Sequence, residues 1–443
     1  MPASIMRGNL SLHAAFAGII AMCVAMCVGC GQKSVELHIL TSGDTAGWIT
    51  PCGCTANQSG GLERRATLVQ SIGDKGSRIY LDAGGSASGN TEYEKTKLAA
   101  ILDGIKLIDI DAHNIGTNET KLSPSELFEI AKATQVSFVS ANLKSADAAV
   151  TIAPSKIISR GGLQVLVTGV IAPALLENED WVASDPLQAA IRVLQSAEAD
   201  CKIVLAYMPE PELIKFAQSL PEANIILGGP TGQVMQPTST GAGIVASATN
   251  KGKFISHLKA IKRSGKVTVE PAPVLEVKSD LDLSELQTNN LQRYLEVLKK
   301  TDFSATESGL SRRLTRPSDQ LAFAGSESCK QCHSEIFQQW KSTKHAHAWE
   351  TLEHKKSNVD PACQLCHTTG YGETGGFETV RSTLDRVDVG CESCHGPSAR
   401  HNQTPTIKTP WTAKTQCASC HDHENSPTFQ LDSYWAKIAH GQR

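Results

Sequence analysis

The last quarter of the chain repeats one pattern four times: Cys329-Lys-Gln-Cys332-His333, Cys363-Gln-Leu-Cys366-His367, Cys391-Glu-Ser-Cys394-His395 and Cys417-Ala-Ser-Cys420-His421. Each is a C-x-x-C-H site, at which two thiols add to the vinyl groups of one porphyrin. The adjacent histidine is then held where its imidazole can bind the iron as the proximal ligand. The four repeats therefore predict four covalently bound haem c groups, with His333, His367, His395 and His421 as proximal ligands.

Zinc is the alternative, because paired C-x-x-C units can build a four-thiolate zinc site. A zinc ribbon gives no reason for a histidine directly after every cysteine pair, whereas haem attachment requires one. Cysteine makes up only 14 of 443 residues, so four such matches are not expected by chance. The pattern favours haem.

The start of the chain is typical of an export signal. Arg7 precedes an uncharged apolar run over residues 14–29, which ends in Cys27-Val-Gly-Cys30. The small residues before Cys30 resemble a bacterial lipoprotein cleavage site, although Cys27 stands where leucine is usual. We therefore expect residues 1–30 to be a lipoprotein signal peptide and the mature protein to lie on the periplasmic side of a bacterial membrane, anchored by a lipid on Cys30. Ordinary signal cleavage and an uncleaved anchor are the alternatives.

Cysteine usage and net charge exclude other classes. Outside the haem motifs and the predicted signal only Cys52, Cys54 and Cys201 remain, too few for a multi-disulfide scaffold. The formal net charge of −3 gives no reason to expect nucleic-acid binding. The expected partners are redox proteins, and the membrane through the lipid anchor.

The middle of the chain alternates short β-rich runs with helical periodicity, which predicts an α/β domain over residues 31–270. The predicted strands cover residues 35–41, 78–82, 107–111, 136–141, 163–171, 202–207 and 224–228. The predicted helices cover residues 62–71, 96–105, 124–134, 187–199 and 211–220.

Several segments here resemble the 5′-nucleotidase and calcineurin-like metallophosphatase superfamily. In order and spacing these are Leu37-His-Ile-Leu-Thr-Ser-Gly-Asp44-Thr-Ala46-Gly47, Gly60-Gly61-Leu-Glu-Arg-Arg, Leu81-Asp82-Ala-Gly84-Gly85 and Gly116-Thr117-Asn118-Glu119. The resemblance implies a metallophosphatase-like sandwich and, in such enzymes, a site for two metal ions.

The residues that would hold those ions are mostly replaced. Asp44 survives, but Ala46 stands where the superfamily has a histidine and Gly85 where it has a bridging aspartate. Thr117 and Asn118 occupy the positions of an Asn-His pair, and the later strand ends carry no histidine. One carboxylate cannot hold two ions about 3.5–4 Å apart. We expect a domain without metal and without hydrolytic activity.

A Cys52-Gly-Cys54 loop follows the surviving Asp44. Two thiols at this spacing could bind a soft metal, act as a redox pair or contact a haem edge. A pair of buried or locally oxidised cysteines explains the same residues, and the sequence leaves both interpretations open.

Residues 271–324 form a predicted linker. Leu291, Tyr294, Leu295 and Leu298 recur at i, i+3, i+4 and i+7, which predicts an amphipathic helix within it. We expect this helix to brace one domain on the other.

Residues 325–443 resemble the tetrahaem cytochrome c-554 family. The matching strings are Ser328-Cys-Lys-Gln-Cys-His-Ser-Glu-Ile-Phe-Gln-Gln-Trp340, Thr343-Lys-His345-Ala-His-Ala348, Val389-Gly-Cys-Glu-Ser-Cys-His-Gly-Pro397 and Tyr434-Trp-Ala-Lys-Ile-Ala-His440. So short a segment cannot bury four haems in a conventional core, so we expect a mainly α domain in which the porphyrins supply much of the apolar surface.

Six histidines of this domain lie outside the motifs: His345, His347, His354, His401, His423 and His440. The family resemblance selects His345, His401 and His440 as distal iron ligands. Side chains two apart on a helix diverge by about 200°, so His345 and His347 cannot both face one haem. Three distal histidines for four irons leave one haem five-coordinate, as in the resembled family.

Electron transfer by an exported multihaem cytochrome is the leading function, which makes the protein a carrier rather than an enzyme. An oxidoreductase acting on a small nitrogen or sulfur species at the open haem, with the Cys52 and Cys54 loop as helper, is the first alternative. The second makes the phosphatase-like domain a ligand-binding or docking module, or a residual phosphoesterase.

Overall fold

The computed structural model describes residues 34–51, 58–147, 150–241, 243–311 and 322–440. Cys30, Cys52 and Cys54 lie outside the described residues, so the predictions for these three cysteines remain predictions. Within the described ranges, no helix is both long enough and apolar enough to cross a membrane.

The N-terminal part is built from strands joined by helices. The strands are β1 (Val35–Ser42), β2 (Arg78–Asp82), β3 (Ile110–Asn114), β4 (Phe138–Val139), β5 (Leu143–Ser145), β6 (Ser155–Arg160), β7 (Leu163–Ile171), β8 (Trp181–Ala183), β9 (Cys201–Tyr207), β10 (Ile225–Gly229), β11 (Met235–Ser239), β12 (Ile244–Ser247), β13 (Phe254–Arg263), β14 (Lys266–Pro271) and β15 (Leu275–Glu276). The helices are α1 (Leu62–Gln70), α2 (Glu92–Leu107), α3 (Pro124–Thr134), α4 (Pro186–Ser196), α5 (Glu210–Gln218) and α6 (Glu285–Thr301).

Two large sheets organise these strands. One has the order β14-β13-β1-β2-β3-β4 with β15 beside β13, and the other has the order β11-β12-β10-β9-β7-β6. Strands β1 to β4 run parallel to one another, as do β7, β9, β10 and β12. The apolar residues of the two sheets pack into one buried cluster that includes Leu37, Ile79, Val165 and Leu205. This is the α/β sandwich that the sequence predicts.

Local signals fix the helices of this sandwich. Helix α2 starts at a capping box formed by Thr91 and Glu94, and α3 starts at a second capping box with Pro124 in its first turn. The prediction of a strand over residues 107–111 is wrong at its start. Helix α2 continues to Leu107, and β3 begins only at Ile110 after Asp109, whose φ of 67° is left-handed.

The loops that follow the parallel strands meet at one edge of the sandwich, because parallel strands end on the same side. Asp44 follows β1, Gly84 and Gly85 follow β2, Gly116 follows β3, and Tyr207 ends β9. This edge is called the strand-end cleft below.

Helix α6 has the apolar face that the sequence predicts. Tyr294, Leu295 and Leu298 are buried and join the cluster that packs beneath α1 and α2. Asn290 donates from its side-chain amide to the carbonyl of Ala100 in α2, at 2.8 Å. The helix thus packs on the N-terminal sandwich. It ends at Thr301, and the chain after it leads to the haem motifs.

The C-terminal part consists of short helices and loops. The helices are α7 (Ser326–Cys329), α8 (Ser334–Lys341), α9 (Ala348–His354), α10 (Pro361–His367), α11 (Cys391–His395), α12 (Ala399–Gln403) and α13 (Leu431–Trp435), with 3₁₀ segments at Lys344–His347, Leu384–Arg386, Ala413–Thr415 and Cys417–Ser419. Its buried apolar cluster is small and centres on Ala305, Trp349, Leu352, Tyr371 and Phe377. This part is mainly α, as expected.

Candidate haem-binding sites and the strand-end cleft

In the described residues of the C-terminal part, imidazole rings lie opposite one another in three pairs. The centroid separations are 6.0 Å for His333 and His401, 6.2 Å for His345 and His421, and 5.8 Å for His395 and His440. Two imidazoles that bind one iron from opposite sides lie with their centroids about 6 Å apart, because each nitrogen sits about 2 Å from the metal. The three separations therefore fit a haem iron between the two members of each pair.

Each pair joins one motif histidine to one distal candidate. His401 faces the histidine of the first motif, His440 that of the third and His345 that of the fourth. The sequence predicts these three distal candidates but not which motif each one serves.

Hydrogen bonds on the second ring nitrogen orient several of these rings. The Nδ1 atoms of His367, His401 and His440 lie 2.7, 2.6 and 3.0 Å from the backbone carbonyl oxygens of Ala348, Ile407 and Ile438. A ring nitrogen that donates to a carbonyl carries the proton, so Nε2 is the nitrogen suited to bind iron. Metal-binding histidines are commonly held this way, and the residues present fit haem c.

The other three histidines are placed differently. Nε2 of His347 donates to the carbonyl of Lys341 at 3.0 Å, and its Nδ1 lies 3.4 Å from the Glu350 carboxylate. The side chain of His354 is 76% exposed, and His423 is also exposed. These positions agree with a surface role. Within the described ranges, no three His, Cys, Asp or Glu side chains gather in a group that could hold a metal ion.

The first and third motifs lie beside each other. Glu392, the second residue of the third motif, is only 1% exposed and accepts hydrogen bonds from the backbone N–H groups of Ala324, Gly325 and Ser398 at 2.7–2.8 Å. The backbone N–H of Cys391 donates to the Ser326 hydroxyl at 3.1 Å. A buried carboxylate is stable when several donors satisfy it, so Glu392 fastens the start of the first motif to the third. The sequence analysis missed Glu392, since it occupies a variable position of the motif.

The second and fourth motifs are also neighbours. Burial lowers the pKa of His345, and the nearby imidazoles of His421 and His367 lower this pKa further. Burial likewise lowers the pKa of His395, with added effects from His440, His333 and His401. The first motif thus lies beside the third and the second beside the fourth, while the Gly390 N–H, just before the third motif, donates to the Thr369 hydroxyl, just after the second, at 2.9 Å.

In the strand-end cleft, the Tyr207 phenol occupies the space beside Gly85. Its hydroxyl donates to Oδ1 of Asp44 at 3.2 Å. A Cβ atom added at Gly85 would lie 2.8 Å from both the Asp44 carboxylate oxygen and the Tyr207 hydroxyl, and one at Gly116 would lie 2.6 Å from the same ring. A side chain at position 85 cannot share this space with the phenol. The sequence feature that could have indicated this filled space is the tyrosine at the end of β9, a strand end where the superfamily has a histidine.

Glu119 holds the loops of the cleft from below. It is fully buried and accepts hydrogen bonds from the backbone N–H groups of Gly85, Ser86, Ala87 and Gly116. Both of its carboxylate oxygens are therefore engaged by backbone donors of the loops after β2 and β3.

Asp44 itself is an unusual carboxylate. Burial raises the pKa of Asp44 to about 6. The charges of Glu119 and Asp82 also raise this pKa, whereas the hydrogen bond from Tyr207 lowers it.

A neighbouring contact joins the cleft to the haem-binding part. The Lys251 ammonium lies 4.5 Å from the Trp48 ring centroid and forms an ion pair with Glu424.

Comparisons with known proteins match the C-terminal part and the N-terminal part to different classes of protein. Residues 328–396 match the family model described as cytochrome c554 and c-prime. Cytochrome c-554 of Nitrosomonas europaea is 31% identical over 141 residues, which are 24% of this chain and 60% of that protein. The C-type polyheme cytochrome OmcB of Geobacter sulfurreducens is 30% identical over 86 residues, which are 18% of this chain and 12% of that protein. The chain thus covers less than two thirds of either relative.

Solved structures resemble the N-terminal part. A 5′-nucleotidase precursor from Thermus thermophilus superposes with a TM-score of 0.52 at 19% identity, over 61% of this chain and 60% of that one. The calcineurin-like phosphoesterase YfkN from Bacillus subtilis superposes with a TM-score of 0.51 at 18% identity, over 60% of this chain and 98% of that one. These similarities confirm the predicted metallophosphatase fold, and at this identity they show the fold alone.

Replacing Gly85 by alanine should destabilise the protein more than the same change at Gly232. Both glycines have positive φ, 82° and 70°, so each substitution costs about 1–2 kcal/mol of backbone strain. Only Gly85 has the Asp44 and Tyr207 atoms within 3 Å of the new Cβ, whereas Gly232 has nothing within 4 Å. Overpacking should add about 1–3 kcal/mol to the loss in unfolding free energy, measured by urea titration. Equal losses for the two variants would contradict a filled cleft.

The buried Asp44 predicts a pH-dependent effect of Asp44→Asn. A carboxyl whose folded pKa is raised binds its proton more tightly when folded, so its ionisation costs stability as the pH rises from about 4 to above 6. The asparagine side chain avoids that cost and still accepts from Tyr207. We therefore expect Asp44→Asn to gain stability relative to wild type as the pH rises. The difference between the two unfolding free energies should be about 2 kcal/mol larger, in favour of the variant, at pH 8 than at pH 4.

Asp200 provides a control of opposite sign. A hydrogen bond from Lys262 lowers the pKa of Asp200, so Asp200→Asn should lose relative stability as the pH rises. A pH-independent effect of Asp44→Asn would show that Asp44 ionises normally in the folded protein.

Proposed function

We propose that this protein is an exported electron carrier whose C-terminal part binds four haem c groups covalently. The three facing histidine pairs carry the proposal, since each combines a C-x-x-C-H histidine with a second imidazole at the distance that one iron requires. The similarity to multihaem c-type cytochromes supports electron transfer and covalent haem. When bound, the haems supply reversible one-electron chemistry.

The residues of the chain fix the axial positions and the spacing of the sites. Each pair of histidines would hold an iron from both sides and leave it no position for a substrate, so the paired sites would suit electron transfer rather than catalysis. Glu392 brings the first and third sites together, and the packing around His345 brings the second and fourth together. Four neighbouring sites, joined also between the second and third motifs, would provide a route for single electrons between partners.

We further propose the chain organisation that the sequence predicts: a lipoprotein signal at 1–30, a phosphatase-like domain at 31–270, a linker at 271–324 and a haem domain at 325–443. A lipid on Cys30 would hold the protein on the periplasmic side of the membrane, close to its redox partners. Covalent haem supports export, since c-type haems are attached outside the cytoplasm in bacteria. Palmitate labelling that disappears in Cys30→Ala tests the anchor.

The phosphatase-like domain would serve as a docking or ligand-binding module. The phenol beside Gly85 and the engaged Glu119 carboxylate support a non-hydrolytic role. Turnover of phosphate esters with added Mn²⁺ or Zn²⁺, abolished by Asp44→Ala, would overturn it.

Binding of a small molecule at one haem is the second candidate function. His401, His440 and His345 face the histidines of the first, third and fourth motifs, which makes the second motif the candidate for the five-coordinate haem. We expect the reduced protein to bind one carbon monoxide per chain, measured by titration of the visible spectrum. A protein that binds none would remove this candidate and leave electron transfer as the function.

The main test combines the mass of the mature protein with one pair of variants. Protein made in a host with cytochrome c assembly should weigh four haems more than its amino acids. His345→Ala should then convert one further ferric haem from low to high spin, as measured by EPR, because the iron on His421 loses its second imidazole. His347→Ala, two residues away and exposed, should leave the spectrum unchanged.

His345→Met tests the same role if His345→Ala fails to fold. A thioether can still bind the iron, and it raises the reduction potential relative to a second histidine. We expect one of the four potentials to rise in His345→Met. An unaltered spectrum in both His345 variants would contradict the axial role.

A further inference from the structure

One carboxylate joins the N-terminal sandwich to the second haem motif. Oδ1 of Asp360 accepts a hydrogen bond from the Tyr93 hydroxyl at 2.6 Å, and Oδ2 accepts one from the Tyr294 hydroxyl at 3.2 Å. Tyr93 belongs to α2 and Tyr294 to α6, and their exposed fractions are only 1% and 4%. Two buried phenols from the first part of the chain therefore converge on one acid of the second part.

The same residue caps the helix that carries the second motif. Asp360 is the N-cap of α10, and its Oδ1 also accepts from the backbone N–H of Ala362 at 2.9 Å. The backbone carbonyl of Asp360 accepts from the N–H of Cys363, the first haem-attaching thiol of that motif, at 2.9 Å. The carboxylate is thus held three residues before a covalent haem bond.

One side of this contact is apolar, and Asp360 itself is half-buried. Cys363 packs against the cluster that contains Ala305 and Tyr371, and the Tyr371 hydroxyl is 2.9 Å from the Ser308 hydroxyl in a buried contact. A charge acts more strongly where water is excluded, because the local dielectric constant is lower than in solvent.

We propose that Asp360, with Tyr93 and Tyr294 as donors, is a positioning residue that sets the reduction potential of the haem attached at Cys363 and Cys366. This inference rests on the proposed function and deepens it, because it makes the N-terminal sandwich a regulator of one redox site. A ferric haem carries one more positive charge than a ferrous haem, so a nearby carboxylate favours the oxidised form. Each phenol that donates to the carboxylate offsets part of that effect.

The two tyrosines are suited to this role because they stay protonated. Burial raises the pKa of Tyr93 and of Tyr294 well above the usual value, and the charge of Asp360 adds to both shifts. Each phenol therefore remains a donor at any physiological pH.

The inference predicts potential shifts of opposite sign. Asp360→Asn removes the negative charge and keeps a good N-cap, so it should raise the potential of one haem. Tyr93→Phe leaves the carboxylate with one donor fewer and should lower the same potential. We expect each change to alter the reduction equilibrium of that haem by about threefold to tenfold, where tenfold corresponds to about 59 mV for one electron. If the substitutions only loosened the interface, the reduction potential would shift in the same direction in both variants.

Two matched controls separate this effect from general damage. Tyr80→Phe removes another buried hydroxyl of the sandwich, which contacts Ser42 at 2.6 Å. Asp185→Asn alters another N-cap, which accepts from the Gln188 N–H at 2.7 Å. Both should leave all four potentials at their wild-type values. If Tyr93→Phe fails to fold, Tyr294→Phe removes the longer of the two hydrogen bonds and should give the same sign.

The test is a redox titration monitored by visible spectroscopy. The mass of each full-length protein is measured in parallel to count its haems. Opposite shifts of one potential in protein with four haems support the inference. Four haems with unchanged potentials, or with shifts of the same sign in both variants, overturn it and leave the proposed function standing. Wild-type protein without haem would overturn the proposed function itself.

Discussion

The C-terminal part depends on pairs of imidazole rings that lie opposite each other with centroids 5.8–6.2 Å apart, the spacing that one iron between them would require. Its own apolar cluster is small, and its helices are mostly one or two turns long, which is too little to define a packed domain. The histidine pairs span large distances along the chain, from the first motif to His401 and from His345 to the fourth motif. An iron held by each pair would therefore cross-link segments with few other contacts, and binding of the cofactors would be coupled to the folding of this part.

In the N-terminal part, hydrogen bonds between protein groups hold the loops at the strand-end cleft. Loops at the carboxyl ends of parallel strands are usual places for ligands. Here the same loops are held by protein groups, with Glu119 accepting from four backbone N–H groups and Tyr207 lying over Gly85. A buried carboxylate satisfied by backbone donors is rigid and chemically quiet. The sandwich has the metallophosphatase-like arrangement of strands, and Glu119 and Tyr207 are buried in its cleft.

The sequence predicts best those features that local chemistry determines. Haem attachment needs two thiols and a histidine at one fixed spacing, so the four motifs are visible without a structure. Strands β2 and β7 and helix α3 have the bounds that their residue patterns predict, since a capping box and proline mark the start of α3. The turn at Asp109 was missed, because a left-handed aspartate gives no clear signal in the sequence. The pairing of distal with proximal histidines, the role of Glu392 and the position of Tyr207 all depend on tertiary contacts between distant segments.

The hydrogen bonds on Asp360 have a consequence for how the protein matures. Thioether formation would require that both thiols of a motif reach the porphyrin, and Cys363 and Cys366 are both partly exposed beside an apolar cluster. The hydrogen bonds from Tyr93 and Tyr294 hold the start of their helix against α2 and α6. A haem attached before these bonds form would therefore meet a freer helix than a haem attached after the two parts have docked.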